Sequence, residues 1–448
     1  MSPRVVDLAS LTATEARRAL DNGLMTSEQL AAACIARIKA RDGDVQAWAH
    51  FDAAQVLAEA RASDVTRDAA RKRGDKLGAL AGIPVGVKDI IDTADYPTEN
   101  GTPVFAGRRP DKDASVVAQL KAAGAVLMGK TVTTELAFFG PGKAKNPRDP
   151  SRTPGGSSSG SAAAVADGQV PLALGTQTAG SIIRPASYCG VIGFKPSFGY
   201  VSRTGVLPQS APLDTIGGYA RSVEDIALLI DAISGFDATD PDMTPGAKPS
   251  LVDALTKPMP RAPRFAFIKS PAWPNAGEAA RRAFETFASD FKAEVVETPL
   301  PPDFDGSLRL QQIVQFSDIA KNYGPIADAN PDRVSTKLKE IIAEGRTFSA
   351  ADIAAARAEA EPLYEGLRSI LDNYDAILTP AAPGVALKGL EATGSPMFNA
   401  LWTYLGMPCI SLPLLEIDGL PLGVQLVGGR GGDGDLLRAA KWAMEASA

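Results

Sequence analysis

The most informative stretch of the sequence is TPGGSSSGSAAAVADGQVPLALGTQTAGSIIRPA, residues 153–186. It contains two turns rich in glycine and hydroxyl side chains, at residues 155–160 and 178–181. Between them, residues 161–168 carry small side chains that let a helix pack closely against a sheet. Residues 170–175 are a short apolar run with turn signals on both sides, which is typical of a buried strand. The pattern places both turns at the edge of one sheet layer.

Helical and strand patterns alternate on both sides of this stretch, which predicts an α/β fold. Ile83, Val85 and Val87 alternate in a strand that ends at Lys88, and strand patterns return near the C-terminus to complete the same sheet. We divide the chain into an N-terminal helical region packing on the core (1–75), a core (76–235), a mostly helical insert that sets substrate specificity (236–393), and C-terminal strands and a helix that complete the core (394–448).

Composition excludes several classes of protein. The chain has 448 residues, 45% of them hydrophobic, and a formal net charge of -6, which argues against a nucleic-acid partner. The start of the chain has no long apolar run, so we expect neither a signal peptide nor a membrane anchor. Three scattered cysteines are too few for a disulfide framework. These observations predict a cytoplasmic enzyme without a cofactor.

The sequence has one histidine, His50. A metal site built on imidazoles is therefore nearly excluded, and no CxxC pair offers thiolates instead, so we expect no metal. A Ser-His-Asp triad would have to use His50, which lies where a strand edge leads into a helix. A surface or half-buried histidine is the better interpretation. If this protein activates a serine, the base should be another residue.

The run GGSSSGS, residues 155–161, has four interpretations. A flexible linker is excluded because apolar structure flanks the run on both sides. A phosphate-binding loop is disfavoured because the run lacks the lysine of GxxxxGK[ST] and the order of GxGxxG. A catalytic turn and an ordinary tight turn remain.

The second turn favours catalysis. Ala179 and Gly180 precede Ser181, and small residues there let successive main-chain N–H groups converge on an oxyanion beside the serine hydroxyl. A deprotonated lysine is a plausible base if burial lowers its pKa from about 10 toward neutrality. Lys88 is the candidate, with a second serine bridging it to Ser181. The alternative is a lysine that extends its ammonium group to the surface.

Three motifs resemble the amidase signature family: IPVGVKD with Lys88, NPRDPSRTPGGSSSGSAAAVADG, and GTQTAGSIIRPASYCGVIGFKPSFG. The resemblance is strong over residues 80–235 and weaker elsewhere. It implies a large mixed sheet layered between helices and a Ser-cisSer-Lys triad. In that triad Ser181 is the nucleophile, Ser157 the bridging serine and Lys88 the base. The two serines are 24 positions apart, as in the family.

The resemblance also implies the surroundings of the triad. The peptide bond between Gly156 and Ser157 would be cis. The main-chain N–H groups of Thr178, Ala179 and Gly180 would form the oxyanion hole. Ser158 and Ser159 would cap the helix that follows.

The sequence departs from the broad family in two places. Ala179 stands where many members have glycine. SIIRPA stands where many read SIRxPA, so that the arginine comes one position later, at Arg184. This variant resembles a malonamidase-like subgroup in which the arginine meets a substrate carboxylate. Alternatively, Arg184 ties down its loop through main-chain carbonyl groups.

The resulting prediction is a hydrolase that cleaves the C–N bond of a small carboxamide through an acyl-enzyme, without metal or cofactor. Anilides, carbamates (urethanes), ureas and esters fit the same chemistry, as in aryl acylamidases and urethanases. Leu136, Phe138 and Phe139, with part of the insert, would line the pocket and favour an aryl or alkyl group. We expect a monomer or homodimer with no nucleic-acid or membrane partner.

The alternative is the amidase subunit of a glutamine-dependent tRNA amidotransferase, which shares this signature and would pass ammonia to a partner. The SIIRPA variant and the absence of a basic, tRNA-facing composition argue against it.

Overall fold

The structure is a computed structural model that describes residues 7–246 and 248–447. In this part of the chain eleven strands form one mixed sheet, in the order β1-β3-β2-β4-β6-β5-β10-β11-β9-β7-β8. The strands are β1 (Trp48–His50), β2 (Pro84–Lys88), β3 (Val126–Thr131), β4 (Leu172–Gln177), β5 (Ile192–Lys195), β6 (Thr215–Ala220), β7 (Arg264–Phe267), β8 (Glu294–Glu297), β9 (Ala376–Pro380), β10 (Cys409–Ile417) and β11 (Leu420–Val427).

Helices connect the strands and cover the sheet. They are α1 (Ala13–Asp21), α2 (Ser27–Val45), α3 (Ala53–Arg73), α4 (Ser115–Ala122), α5 (Ser159–Ala166), α6 (Ile183–Cys189), α7 (Val223–Ile233), α8 (Leu251–Thr256), α9 (Glu278–Asp290), α10 (Ser307–Ala329), α11 (Thr336–Gly345), α12 (Ala350–Ala358), α13 (Ala360–Gly366), α14 (Arg368–Asn373), α15 (Met397–Tyr404) and α16 (Asp433–Ser447).

Both faces of the central strands are buried, and successive residues of a strand enter different cores. In β4, Leu172 and Leu174 belong to a core that includes residues of α1, α4 and α7, while Ala173 belongs to a second core with residues of α2, α5 and α6. This alternation follows from the two-residue period of a strand. The predicted α/β class, with a large mixed sheet between helical layers, is confirmed.

Helix caps near the N-terminus match their sequence patterns. Thr12 with Glu15, and Thr26 with Gln29, each form both hydrogen bonds of a capping box. The expected capping of α5 by Ser158 is wrong, because its Oγ instead bonds the main-chain N–H and C=O of Thr176 at 3.2 Å each. Ser158 therefore ties the start of α5 to β4.

The topology brings two strand ends to one edge of the sheet. Strand β2 runs parallel to β3 on one side and to β4 on the other. Parallel strands end at the same edge, and loops beyond that edge are where open α/β sheets place their ligands. Lys88 ends β2 and Gln177 ends β4, so the turn after β4 lies beside Lys88.

The range 236–393 contributes to the same sheet as the rest of the chain. Strands β7, β8 and β9 come from this range, and β9 pairs with β11 from the C-terminal part. Helices α10 and α11 from the same range pack with Leu136 and Phe138 in a separate hydrophobic cluster. The four-part division of the chain stays a prediction. None of the helices in the described ranges is both long and apolar enough to cross a membrane.

Candidate active site

Lys88 is completely buried at the end of β2. Its Nζ lies 2.7 Å from Ser157 Oγ and 2.7 Å from Thr176 Oγ1, within hydrogen-bonding distance of both. Burial strongly lowers the pKa of Lys88, and the negative charge of Asp214 raises it in part. An amine in this position loses its proton more readily than an exposed lysine does, and the neutral amine can accept a proton from a hydroxyl group.

Ser157 follows a turn that only glycine can form. Gly155 has φ of +82°, and a Cβ there would lie 2.9 Å from the Cα of Pro185. The next peptide bond, between Gly156 and Ser157, is cis, as the family resemblance implied. The turn places Ser157, which is almost fully buried, directly against Lys88.

Ser181 lies in the turn between β4 and α6 and is partly exposed, unlike Lys88 and Ser157. Its main-chain carbonyl accepts hydrogen bonds from the Tyr219 hydroxyl at 3.0 Å and the Ser158 N–H at 3.4 Å. The exposure of Ser181 makes it the hydroxyl of this group that a substrate can reach.

The turn before Ser181 presents unused main-chain donors. Within the described residues, no hydrogen bond engages the N–H groups of Thr178, Ala179 and Gly180. Successive unbonded N–H groups in a turn form a concave site for an anion. This arrangement can hold a developing oxyanion beside Ser181.

Asp214 supports the same turn from the side. Its Oδ1 accepts a hydrogen bond from Thr178 Oγ1 at 2.6 Å, and its Oδ2 accepts from the N–H groups of Gln209 and Ser210. Burial raises the pKa of Asp214 to about 6, against the lowering effect of these donors. Asp214 therefore links the turn to the electrostatics of Lys88.

Arg184 is buried, and its guanidinium group is held by main-chain atoms. Nη1 donates to the carbonyl of Gly394 at 2.6 Å, and Nη2 donates to the carbonyl of Gly156 at 2.5 Å and to Thr393 Oγ1 at 3.4 Å. Burial lowers the pKa of Arg184 to about 10. Of the two interpretations from the sequence, this geometry favours the structural one, but Arg184 lies at the start of α6 and holds two other segments, the turn at Gly156 and the chain at Gly394, through their main-chain carbonyls.

The three apolar residues predicted to line the pocket lie in a cluster with the insert helices. Leu136 is fully buried, and Phe138 packs edge-on against Phe139 at 4.5 Å and Phe316 at 6.3 Å between ring centroids. Phe139 is only partly buried. Their packing attaches the segment 136–139 to the insert helices. A substrate-binding role for these three residues stays a prediction.

A cavity of about 270 Å³ adjoins the site. It shares Thr176 and Thr178 with the residues described above, and Ala137, Leu207 and Ile216 contribute apolar wall. The cavity begins next to the hydroxyl that contacts Lys88, so it offers space for part of a small molecule.

His50 lies in a different cluster from the two serines. Its Nε2 is 3.0 Å from Glu99 Oε2, and His50, Asp89 and Glu99 place one possible metal ligand each within 4.8 Å of one another. Lys130 Nζ lies 3.3 Å from Asp89 Oδ1 and supplies a positive charge at that position. A cation would compete with this ammonium group, so we assign the cluster a structural role.

No pattern in the sequence singles out Thr176, Asp214 or Tyr219. Thr176 precedes the second turn by two residues, but threonine is common in strands and carries no separate signal. Asp214 and Tyr219 are far along the chain and reach the turn only because β6 pairs with β4.

The model of the amidase family matches residues 29–437. The protein named as the A component of glutamyl-tRNA(Gln) amidotransferase in Chloroflexus aggregans is 33% identical, over 97% of this chain and 96% of the relative.

Two solved structures resemble the whole chain. One is from a protein complex described as vestigial, which reveals the evolutionary origins of an s-triazine catabolic enzyme. Its TM-score is 0.88 at 30% identity, with 97% of this chain and 98% of that chain covered. The other is the native peptide amidase from Stenotrophomonas maltophilia, with a TM-score of 0.81 at 28% identity and coverage of 98% and 97%.

Proposed function

The chain belongs to the amidase family, and we propose that it hydrolyses a carboxamide through an acyl-enzyme on Ser181. The observation that carries the proposal is the 2.7 Å contact between the buried Lys88 Nζ and Ser157 Oγ. Lys88 is buried, its pKa is lowered, and no carboxylate among the described residues forms an ion pair with it, so it is suited to act as a base.

In the first step Ser181 Oγ attacks the carbonyl carbon of the amide. Ser157 takes the proton of Ser181 and passes its own proton to neutral Lys88, which becomes an ammonium ion. The carbonyl oxygen gains negative charge and accepts hydrogen bonds from the N–H groups of Thr178, Ala179 and Gly180. Such donors are worth about 3 kcal/mol each toward the barrier.

The tetrahedral intermediate then collapses and breaks the C–N bond. The proton held by Lys88 returns through Ser157 to the leaving nitrogen, which departs as a neutral amine or ammonia. Water then attacks the Ser181 ester and gives up its proton through Ser157 to Lys88. As the ester bond breaks and the acid is released, that proton returns through Ser157 to Ser181 Oγ, which restores the free hydroxyl and the neutral lysine. Both halves of the reaction use the same three side chains.

For the substrate, we propose a small carboxamide with an apolar acyl or aryl group, with anilides and carbamates as related substrates. The apolar wall of the adjoining cavity supports this choice. The bonds of Arg184 to main-chain carbonyls support a structural role for this arginine, which disfavours a malonamate-like substrate.

The second candidate is the amidase component of a glutamine-dependent tRNA amidotransferase. The curated relative at 33% identity carries that name and aligns over nearly its full length, so the curated relatives favour this candidate over the free-standing hydrolase. In that role the chain would release ammonia from glutamine and would have protein partners. The proposed acyl-transfer chemistry is the same in both cases.

The test is kcat/KM of the purified chain alone on three substrates. Two are the 4-nitroanilides of butyric and succinic acid, which differ by a methyl group against a carboxylate, and the third is L-glutamine. Turnover of the butyric anilide above that of glutamine supports the free-standing hydrolase. Glutamine hydrolysis with inert anilides supports the amidotransferase role. A preference for the succinic anilide would overturn the structural role of Arg184.

A further inference from the structure

Helix α15 packs against the turn that precedes Ser181. Thr403, near the end of this helix, is 1% exposed, and its Oγ1 donates to the main-chain carbonyl of Ala179 at 2.8 Å. The same hydroxyl lies 3.1 Å from the carbonyl of Asn399, one helical turn earlier. It also accepts a hydrogen bond from Gln177 Nε2 at 2.9 Å. A helix more than 200 residues downstream thus contacts the turn by a directed bond.

The contact to Ala179 has a consequence for Gly180. The carbonyl of Ala179 and the N–H of Gly180 belong to one planar, trans peptide unit, so they point in opposite directions. The hydrogen bond from Thr403 draws the carbonyl toward α15. The N–H of Gly180, one of the three unbonded donors, is thereby directed away from the helix.

Gln177 holds the other side of Ser181. Its Oε1 accepts hydrogen bonds from the N–H groups of Ile182 and Ile183 at 2.9 and 3.0 Å. The peptide unit that joins Ser181 to Ile182 is therefore fixed at its N–H by Gln177 and at its carbonyl by Tyr219. One glutamine side chain connects this peptide unit, through Thr403, to the Ala179 carbonyl.

The spacing between α15 and the turn is set by Asn399. Its Nδ2 donates to the carbonyl of Ala381 at 3.0 Å and to Gln425 Oε1 at 3.2 Å, which fixes the plane of the amide. Its Oδ1 is buried without a hydrogen-bond partner among the described residues and faces Gly180, where a Cβ would lie only 2.4 Å away. Gly180 therefore has room for a hydrogen atom and nothing larger.

We infer that Thr403 and Gln177 are positioning residues that set the direction of the Gly180 N–H in the oxyanion hole. This role rests on the proposed acyl transfer on Ser181. Neither side chain touches the substrate. They act by holding the Ala179–Gly180 and Ser181–Ile182 peptide units, so that Gly180 N–H points toward the attacked carbonyl before the substrate arrives.

The test compares Thr403→Val, which keeps the shape and removes the hydroxyl, with Thr403→Ser, which restores the hydroxyl. The control is Thr93→Val, which removes another buried hydroxyl, bonded to the carbonyl of Tyr96 at 3.1 Å. The probe is an alkyl fluorophosphonate, which transfers its phosphonyl group to an activated serine with loss of fluoride. Its rate of labelling needs no knowledge of the natural substrate.

We expect Thr403→Val to label about 10- to 100-fold more slowly, a loss smaller than removal of an oxyanion donor. On any amide that is turned over, kcat should fall by a similar factor while KM stays within about threefold, since the oxyanion forms after binding. Thr403→Ser should recover most of the rate, and Thr93→Val should label at the rate of the unmodified chain even though the lost hydrogen bond lowers its stability.

Two results distinguish a wrong nucleophile assignment from a wrong positioning role. If Ser181→Ala still labels at the original rate, the proposed nucleophile is wrong and the positioning role falls with it. If Ser181→Ala does not label but Thr403→Val labels at the original rate, the nucleophile stands and the positioning role is overturned. Gln177→Leu provides the second variant, with the same expected fall in rate.

Discussion

Lys88 Nζ and Ser157 Oγ lie 2.7 Å apart in a part of the molecule where the lysine has no exposed surface. Water cannot stabilise an ammonium ion there, and the nearest strong influence in its favour is the charge of Asp214. The lowered pKa of Lys88 is thus a property of the fold, created by placing a lysine at the buried end of β2. Its consequences, and those of the turns around it, can be measured.

Replacing Ser181 with alanine should lower kcat/KM by at least about a thousandfold, because no other hydroxyl at the described site is both exposed and beside unbonded N–H groups. The matched control is Ser161→Ala, which removes a buried hydroxyl bonded to the carbonyl of Leu174 at 2.8 Å. The control should lose about 1 kcal/mol of stability and keep its rate. Residual activity above a thousandth in Ser181→Ala would contradict the nucleophile assignment.

Activity should depend on pH through Lys88. Only the neutral amine can take a proton from Ser157, so kcat/KM should rise with pH through the pKa of Lys88 and then level off. Because burial lowers that pKa, the rise should be complete well below the ordinary lysine value of about 10.4. Lys88→Arg, which keeps a permanent positive charge, should be inactive over the whole range. A rate that continued to climb to pH 10 would count against a buried base.

Asp214→Asn should move the acid limb of the same profile to lower pH. The carboxylate of Asp214 raises the pKa of Lys88, so removing the charge lowers it further. The amide can keep the local geometry, since its oxygen can accept from Gln209 and Ser210 while its nitrogen donates to Thr178 Oγ1. The control is Asp240→Asn, which breaks an ion pair with Arg203 in the wall of the same cavity. An acid limb that stays at the same pH or moves to higher pH would show that the charge of Asp214 does not raise the pKa of Lys88.

Several features of the fold were predictable because they depend on neighbours in the sequence. The capping boxes of α1 and α2 and the strand that ends at Lys88 follow from spacing over three to six residues. Lys88 stood out because lysine rarely closes an apolar strand. The two turns rich in glycine and serine were also predictable, because few structural roles other than a catalytic turn explain such runs between apolar segments.

Other features depend on pairings that no short pattern contains. The order of strands places β7 and β8, from the middle of the chain, at the outer edge beyond β9. Thr403 lies in NALWTY, residues 399–404, which reads as an ordinary apolar helix. Its contact with the Ala179 carbonyl exists only because α15 folds back over the turn. Such a contact cannot be predicted from the sequence pattern of either segment alone.

Breaking the buried ion pair beside the site should destabilise the fold. Lys130 has no exposed surface and pairs with the nearly buried Asp89 at 3.3 Å. Burial lowers the pKa of Lys130 to about 8, against the raising effect of Asp89. Lys130→Met should cost about 3–5 kcal/mol in the free energy of unfolding, because Asp89 keeps a buried charge without its partner.

The double variant Asp89→Asn with Lys130→Met should recover part of this loss, since no uncompensated charge remains. Urea unfolding of both variants gives the comparison. Equal stability of the single and double variants would show that the charge of Asp89 is compensated by other groups.

Arg184→Met should destabilise the chain without changing which acyl groups it prefers. The guanidinium bonds to the carbonyls of Gly156 and Gly394 would be lost, leaving two buried acceptors unsatisfied at about 1–3 kcal/mol each. Because Gly156 precedes Ser157, kcat should also fall. The ratio of kcat/KM between the succinic and butyric 4-nitroanilides should nevertheless stay constant within about twofold. A selective loss of the succinic anilide, by tenfold or more, would instead mean that Arg184 holds a substrate carboxylate, and the natural substrate would then be an acid amide.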